Sequence, residues 1–269
     1  GIEIYEFDPL RFPYVNHICH RDHRKIVVID GLVAYTGGMN VADYYIKGKP
    51  EIGDWRDLHV RVEGDAVGDL QRIFISFWNA VTHQQVQGPE YYPGEKQASD
   101  YFVGLKEDKD ATAGHKLVGV VNRDPDESPR IIHDTFVQAI NAAETNVTLI
   151  NPYLTLCPHL RRALKRALRR GVEVKIWFFE GGFHHSKIMM VDSNFSFVGS
   201  ANLNSRSLSF DYECNLLIAD RPSTAQLLRL FDDDRTKHCW QLTPDTWRTK
   251  FSKGRRFQAW FFQFLTPFL

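Results

Sequence analysis

The sequence predicts an α/β fold made of two duplicated halves that share one active site. Three observations predict it: an internal repeat, β-branched runs inside that repeat, and amphipathic helical stretches around it. Each half is expected to hold a mixed sheet flanked by helices, the two halves packed as a pseudo-two-fold pair. The expected divisions are residues 1–115 for the first half and its connection, 116–235 for the second half, and 236–269 for a C-terminal tail.

The repeat carries most of the argument. Residues 23–40 read HRKIVVIDGLVAYTGGMN and residues 185–202 read HSKIMMVDSNFSFVGSAN, at a constant offset with no gap. The alignment pairs His23 with His185, Lys25 with Lys187, Asp30 with Asp192, Gly37 with Gly199 and Asn40 with Asn202. Shared strand propensity would match apolar positions. Matching polar ones is the signature of duplication.

Each copy reads as a hairpin. Ile26–Ile29 is a β-branched run, Asp30-Gly31 is a strong two-residue turn signal, and residues 32–36 return. In the second copy Ile188–Val191 leads through Ser193-Asn194 to residues 195–198. Apolar runs without alternation predict strands covered on both faces. Helices are expected over 65–81, 131–143 and the strongly basic 160–170, with strands at Val147–Ile150 and 172–178. Residues 88–115, rich in Gly, Pro and charge, read as the connection between halves. The chain opens at Gly1 without an initiator methionine, in what reads as a strand, so a preceding N-terminal part is expected.

The pattern His-x-Lys-x4-Asp, followed by glycines and an asparagine, points to phosphoryl chemistry. On a strand, residues i and i+2 face one side, so each His and Lys share a pocket. The glycines let backbone approach a ligand, and Asn40, Ser200 and Asn202 can donate hydrogen bonds to phosphate oxygens. One histidine attacks phosphorus while the other serves as acid and base. Lysines and amides stabilise the developing charge, which makes a divalent metal unnecessary; no cofactor is expected. Phosphate ester cleavage needs on the order of 20 kcal/mol of barrier reduction. One acid/base supplies roughly 3–5 kcal/mol, so both copies should line one site. A nucleophilic histidine needs a partner on its other nitrogen, and Asp57 and Glu213, one after each copy, are candidates. Asp30 and Asp192 belong to the motif but sit at turns, where capping the turn or anchoring the lysine suits them better than direct chemistry.

Composition excludes other classes. Lys plus Arg and Asp plus Glu both number 33, so a general nucleic-acid binder, which carries a basic excess, is not expected. The four cysteines, Cys19, Cys157, Cys214 and Cys239, are widely spaced and read as free thiols in a reducing compartment. His17, Cys19, His20 and His23 cluster, but their spacing fits no common zinc pattern. No run of 18 apolar residues is present.

His23-x-Lys25-x4-Asp30 and His185-x-Lys187-x4-Asp192 resemble the paired motifs of the phospholipase D superfamily. Residues 34–40, Trp55-Arg56-Asp57, Asn151-Pro152-Tyr153 and residues 199–207 resemble, more narrowly, bacterial cardiolipin synthases, and the likeness spans most of residues 1–235. It implies condensation of two phosphatidylglycerol molecules into cardiolipin and glycerol, through a phosphatidyl-histidine with His23 as nucleophile and His185 as acid/base. Hydrolysis to phosphatidic acid and transfer to another alcohol stay open as alternatives, with a non-enzymatic membrane adaptor more distant. The resemblance also implies a bacterial membrane location, N-terminal membrane segments and a full first αβ unit. Neither precedes Gly1, so the first half is expected to be truncated. Such proteins carry several tens of residues where Ile176 here runs straight into Trp177.

Residues 254–269 read GRRFQAWFFQFLTPFL. Phe257, Trp260, Phe261, Phe264 and Leu265 share a helical stripe beside Arg255 and Arg256. The segment is too short to span a bilayer. It reads as an interfacial anchor, with packing on the protein's own core as the alternative.

Overall fold

Both motif hairpins form with the same local geometry, the left-handed pair of the second falling at Asp192-Ser193, one residue before the expected Ser193-Asn194. Strand β1 (Ile26–Ile29) pairs antiparallel with β2 (Val33–Gly37), Ile29 opposite Val33. Between them Asp30 and Gly31 take φ of 55° and 65°. Paired left-handed residues match the twist of the strands they join, and Asp and Gly tolerate that conformation. In the second copy Asp192 and Ser193 take φ of 53° and 55°, again with a three-residue gap between paired strands. The duplication thus extends to backbone conformation. The structure, a computed structural model, describes residues 1–9, 20–94, 116–262 and 264.

After β2 come α1 (Tyr44–Lys47), β3 (Asp54–Arg56), β4 (His59–Glu63) and α2 (Ala66–Thr82). The second half runs β5 (Leu117–Arg123), α3 (Ile131–Ala142), β6 (Val147–Ile150), α4 (Pro158–Arg169), β7 (Trp177–Phe179), β8 (Gly182–His184), β9 (Ile188–Val191) and β10 (Phe195–Gly199). It continues through α5 (Ser205–Ser209), β11 (Glu213–Ala219) and α6 (Arg221–His238) to β12 (Cys239–Gln241), α7 (Pro244–Lys250) and α8 (Lys253–Phe262).

The first sheet has the order β1-β2-β4 and the second β5-β11-β10-β9-β6. Both were expected to be mixed, yet every pairing within them is antiparallel. The parallel pair lies elsewhere: β3 of the first half runs alongside β8 of the second, with Trp55 opposite Phe183 and Arg56 opposite His184. This short ladder ties the halves together beside His185.

The second sheet is buried on both faces. Met189, Val191 and Phe197 pack on α3 and α4 through Phe136, Ile140, Leu160 and Leu164. Ile188, Met190, Val198 and Leu216 face the first half, meeting Ala34, Val62 and, from α2, Val67 and Leu70. The β9 run therefore fits the expectation of two covered faces. The β1 run does not: Ile26 and Val28 point into the core, whereas Val27 and Ile29 are about half exposed. One face of the first sheet lies open.

Three other expectations need correction. Of the strand expected over 172–178, only Trp177–Phe179 forms, because Val172 turns into the core and Glu173 meets the chain through a single bridge to Asn146. Residues 1–5 form no strand; Tyr5 and Phe7 instead lay their rings against Trp78 and Phe77 of α2, at 5.0 and 4.7 Å. Helix α6 crosses residue 235, and β12 pairs with β7, so the expected boundary at 236 cuts a helix and divides a paired ladder. Part of the connection, 95–115, and Leu265, Cys19 and His17 lie outside the described residues. Helix α8 buries none of its residues; Phe257, Trp260, Phe261 and Phe262 are half exposed or more. Among the described residues no helix is long and apolar enough to cross a membrane.

Candidate active site

The two copies converge. Lys25 lies within the electrostatic reach of both Glu213 and Asp57, and Lys187 within that of Lys25, Asp57 and Glu213. In each copy the lysine folds back to donate to the carbonyl of the histidine two residues earlier: Lys25 to His23, Lys187 to His185. The i, i+2 spacing makes this possible, since both side chains stand on the same side of the extended chain.

The orienting acids come from equivalent register positions. His59 stands opposite Gly37 on the β2–β4 ladder, and Asn215 opposite Gly199 on the β10–β11 ladder. Asp57 and Glu213 each lie two residues before those partners. Each acid serves the other half's histidine. His23 Nδ1 is 3.0 and 3.1 Å from the two Glu213 oxygens, and His185 Nδ1 is 2.6 Å from Asp57 Oδ2. A carboxylate on Nδ1 fixes the proton there and leaves Nε2 with its lone pair outward, the tautomer a nucleophile or base requires.

The motif glycines have a different reason from the one expected. A Cβ on Gly38 would stand 2.2 Å from Asp57 Oδ1, and one on Gly199 would stand 2.3 Å from the Cys214 carbonyl. They admit the acid-bearing strand rather than a ligand. Ser200 likewise departs from its expected phosphate contact. Its buried hydroxyl donates to Glu213 and accepts from the Cys214 N–H at 3.0 Å, so both functions are used inside the protein. Asn202 is buried, its Oδ1 without a partner among the described residues, and Asn40 is exposed, 3.4 Å from the Tyr45 hydroxyl. Asp192 sits at the hairpin turn and accepts from the backbone N–H groups of Glu144, Thr145 and Asn146 at 2.8–2.9 Å. It anchors the α3–β6 connection, not Lys187. Asp30 occupies the matching turn and is exposed.

Burial dominates the electrostatics. It lowers Lys187 to about 8, against the opposing pull of Asp57. Burial lowers Lys25 too, with Glu213 opposing. His185 is lowered first by burial and then by Lys187, whose Nζ lies 3.0 Å from both ring nitrogens; Asp57 opposes. For Glu213, burial pushes the carboxyl up, but hydrogen bonds from His23, Ser200 and Ser207 and the charge of His23 together outweigh it, and the group ends below the usual carboxylate range. A cavity of about 380 Å³ opens behind Asp57, between Trp55 and Leu230 and Phe231 of α6.

Several contacts were not foreseen. Tyr45 places its hydroxyl 3.3 Å from His185 Nδ1, and burial pushes that hydroxyl up to about 12, so it stays protonated. Phe183 and Trp55 pack on the His185 ring. Ser207 supports Glu213. Only its place in the 199–207 segment could have flagged Ser207; nothing local marks Tyr45, which the short helix α1 brings in, whereas Phe183 stands two residues before His185, where the i, i+2 spacing could have flagged it.

A paired His–Lys site of this kind on this fold defines a phospholipase D-type protein. Residues 177–235 match the family described as "Cardiolipin synthase, PLD-like domain". The chain is 31% identical over 264 residues to cardiolipin synthase 2 of Bacillus cereus, covering 87% of this chain and 49% of that protein. It is 30% identical over 295 residues to cardiolipin synthase of Listeria monocytogenes serotype 4a, covering 98% of this chain and 58% of the relative. That alignment is longer than this chain, so the relative carries residues with no counterpart here. The chain spans about half the length of the curated relatives it matches. Among solved structures, phosphatidylserine synthase of Haemophilus influenzae superposes with a TM-score of 0.61 at 14% identity, over 92% of this chain and 71% of that one, and shares the fold. The chain is similar to bacterial cardiolipin synthases over most of its length and carries a phospholipase D-like domain match over residues 177–235.

Proposed function

We propose that the chain is a phosphatidyltransferase that condenses two phosphatidylglycerol molecules into cardiolipin and releases glycerol. The reciprocal pairing of His23 with Glu213 and His185 with Asp57 carries the reading, because it prepares two Nε2 atoms at one site. The His23 side chain is 29% exposed against 9% for His185. In our scheme the more open His23 attacks phosphorus. The phosphorus–oxygen bond to the headgroup glycerol breaks, a phosphorus–nitrogen bond forms, and His185, which enters this step protonated on both ring nitrogens, gives its Nε2 proton to the departing glycerol. A hydroxyl of the second phosphatidylglycerol then passes its proton to His185 and attacks phosphorus, breaking the bond to His23. Lys25, Lys187, Asn40 and Asn202 hold the phosphoryl oxygens. Asp30 and Asp192 brace the hairpins. The scheme needs no metal-bound step.

The similarity to cardiolipin synthases supports this choice of substrate and product. The exposed rings of α8 support attachment to a bacterial membrane surface through that helix.

The test is a rapidly quenched reaction of the wild-type chain with phosphatidylglycerol vesicles, followed by peptide mass analysis. A phosphatidyl adduct on the His23 peptide supports the scheme. Label on neither histidine excludes the covalent route, and phosphatidic acid as the sole wild-type product assigns the chain to hydrolysis.

A further inference from the structure

The environments of the two histidines differ in one respect that the transfer scheme does not use. Three aromatic rings stand around His185: Trp55 at 5.6 Å between ring centroids, Phe183 at 5.7 Å and Tyr45 at 6.3 Å. They also pack on one another, Trp55 on Phe183 at 4.6 Å and Tyr45 on Trp55 at 6.0 Å. Tyr153 extends the wall beyond Phe183, and Tyr44 extends it beyond Trp55. Among the described residues no ring stands against His23. The wall is built into the fold, since the β3–β8 ladder sets Trp55 directly opposite Phe183 and His185 N–H donates to the Arg56 carbonyl.

A covalent phosphoryl-histidine has two fates. The incoming alcohol can attack it, or water can, and water is present at far higher concentration. Net transfer therefore requires that the group activating the incoming oxygen be screened from bulk water while accepting a lipid hydroxyl. Ring faces offer water no strong hydrogen-bond partner, yet they pack well against a glycerol backbone. The polar groups beside His185 are few: the Tyr45 hydroxyl of the wall, the Asp57 carboxylate and the Lys187 ammonium.

We infer that Trp55, Phe183 and Tyr45 form an aromatic collar that keeps water from His185 and so decides transfer over hydrolysis. This rests on the transferase reading above and names the residues that set its product. The chemistry is balanced in either branch. The phosphorus–nitrogen bond to His23 breaks, a phosphorus–oxygen bond forms, and the proton of the attacking hydroxyl or water goes to His185. The collar selects which oxygen arrives.

The experiment measures cardiolipin and phosphatidic acid made by this chain from phosphatidylglycerol vesicles, for wild type, Trp55→Ala, Phe183→Ala and the conservative Trp55→Phe. The readout is the product ratio, which does not depend on how much of a variant is folded. We expect the share of phosphatidic acid over cardiolipin to rise by about tenfold in the two alanine variants. In Trp55→Phe it should stay within about twofold of wild type, because a ring is retained. A fall in total turnover with an unchanged ratio in both alanine variants overturns the collar while leaving the transferase reading intact. A wild-type chain that makes phosphatidic acid alone overturns both.

Discussion

His185 Nδ1 lies 2.6 Å from Asp57 Oδ2, although the two residues belong to different halves of the duplication. The reverse exchange joins His23 to Glu213. Neither half holds a complete histidine–carboxylate pair by itself, the arrangement expected of one site shared by both halves. Asp57→Asn and Glu213→Gln should each lower kcat by about 10²–10⁴, the cost of presenting the wrong tautomer. Because each acid acts through one histidine, adding Glu213→Gln to His23→Ala should cost little beyond the single change. Steady-state kinetics of the four variants checks this, and additive losses would separate acid from histidine.

The pH dependence follows from Lys187. Its folded-state value of about 8 lies below the ordinary 10.5, through burial. Below pH 8 it is charged and can hold phosphate; above it the charge is lost, and KM should rise through this range. Stability should move the other way. Between the folded and unfolded values the unfolded chain binds more protons, so stability increases with pH from about 8 to 10.5, by on the order of 3 kcal/mol at most. Lys187→Met should abolish both trends. Parallel KM and denaturant titrations across pH 7–10 measure them.

Gly38 and Gly199 make a structural prediction. Alanine at Gly38 would put Cβ 2.2 Å from the Asp57 carboxylate, and at Gly199 2.3 Å from the Cys214 carbonyl, next to Glu213. Either change must displace an acid-bearing segment. We expect thermal unfolding to shift down by several degrees, on the order of 1–3 kcal/mol of strain. Activity should fall by more than that loss of stability explains.

Chelators should leave turnover largely intact, because Lys25, Lys187, Asn40 and Asn202 supply the positive field. Activity assays before and after exhaustive chelation test it; a strict, restorable need for a divalent ion in the chemical step would contradict it. Deletion of residues 254–269 should weaken sedimentation with anionic vesicles while sparing cleavage of short soluble phosphodiesters. The exposed Phe257, Trp260 and Phe261 carry that expectation.

Much of this architecture was legible in the sequence because it is written locally. The hairpins, their left-handed turns and the helices α2, α3 and α4 follow from periodicity and turn chemistry within a few residues. The His and Lys of each copy followed from a repeat of polar residues at fixed offset. What stayed hidden is long-range. That β1 would expose Val27 and Ile29 depends on what covers the first sheet, and no local pattern reports it. That Ser200 would serve Glu213, and that Tyr45 would reach His185, depends on contacts between segments far apart in the sequence. The exchange of acids between halves is of the same kind: Asp57 and Glu213 were recognisable as acids near the motifs, but not which histidine each would face.

The most direct measurement of the central claim is the turnover of phosphatidylglycerol by His23→Ala and by His185→Ala, each checked for an intact fold by circular dichroism. If both copies form one site, each variant loses at least about 10³-fold in kcat, since neither histidine can take over the other's role. Near-normal turnover in either folded variant would contradict the shared site.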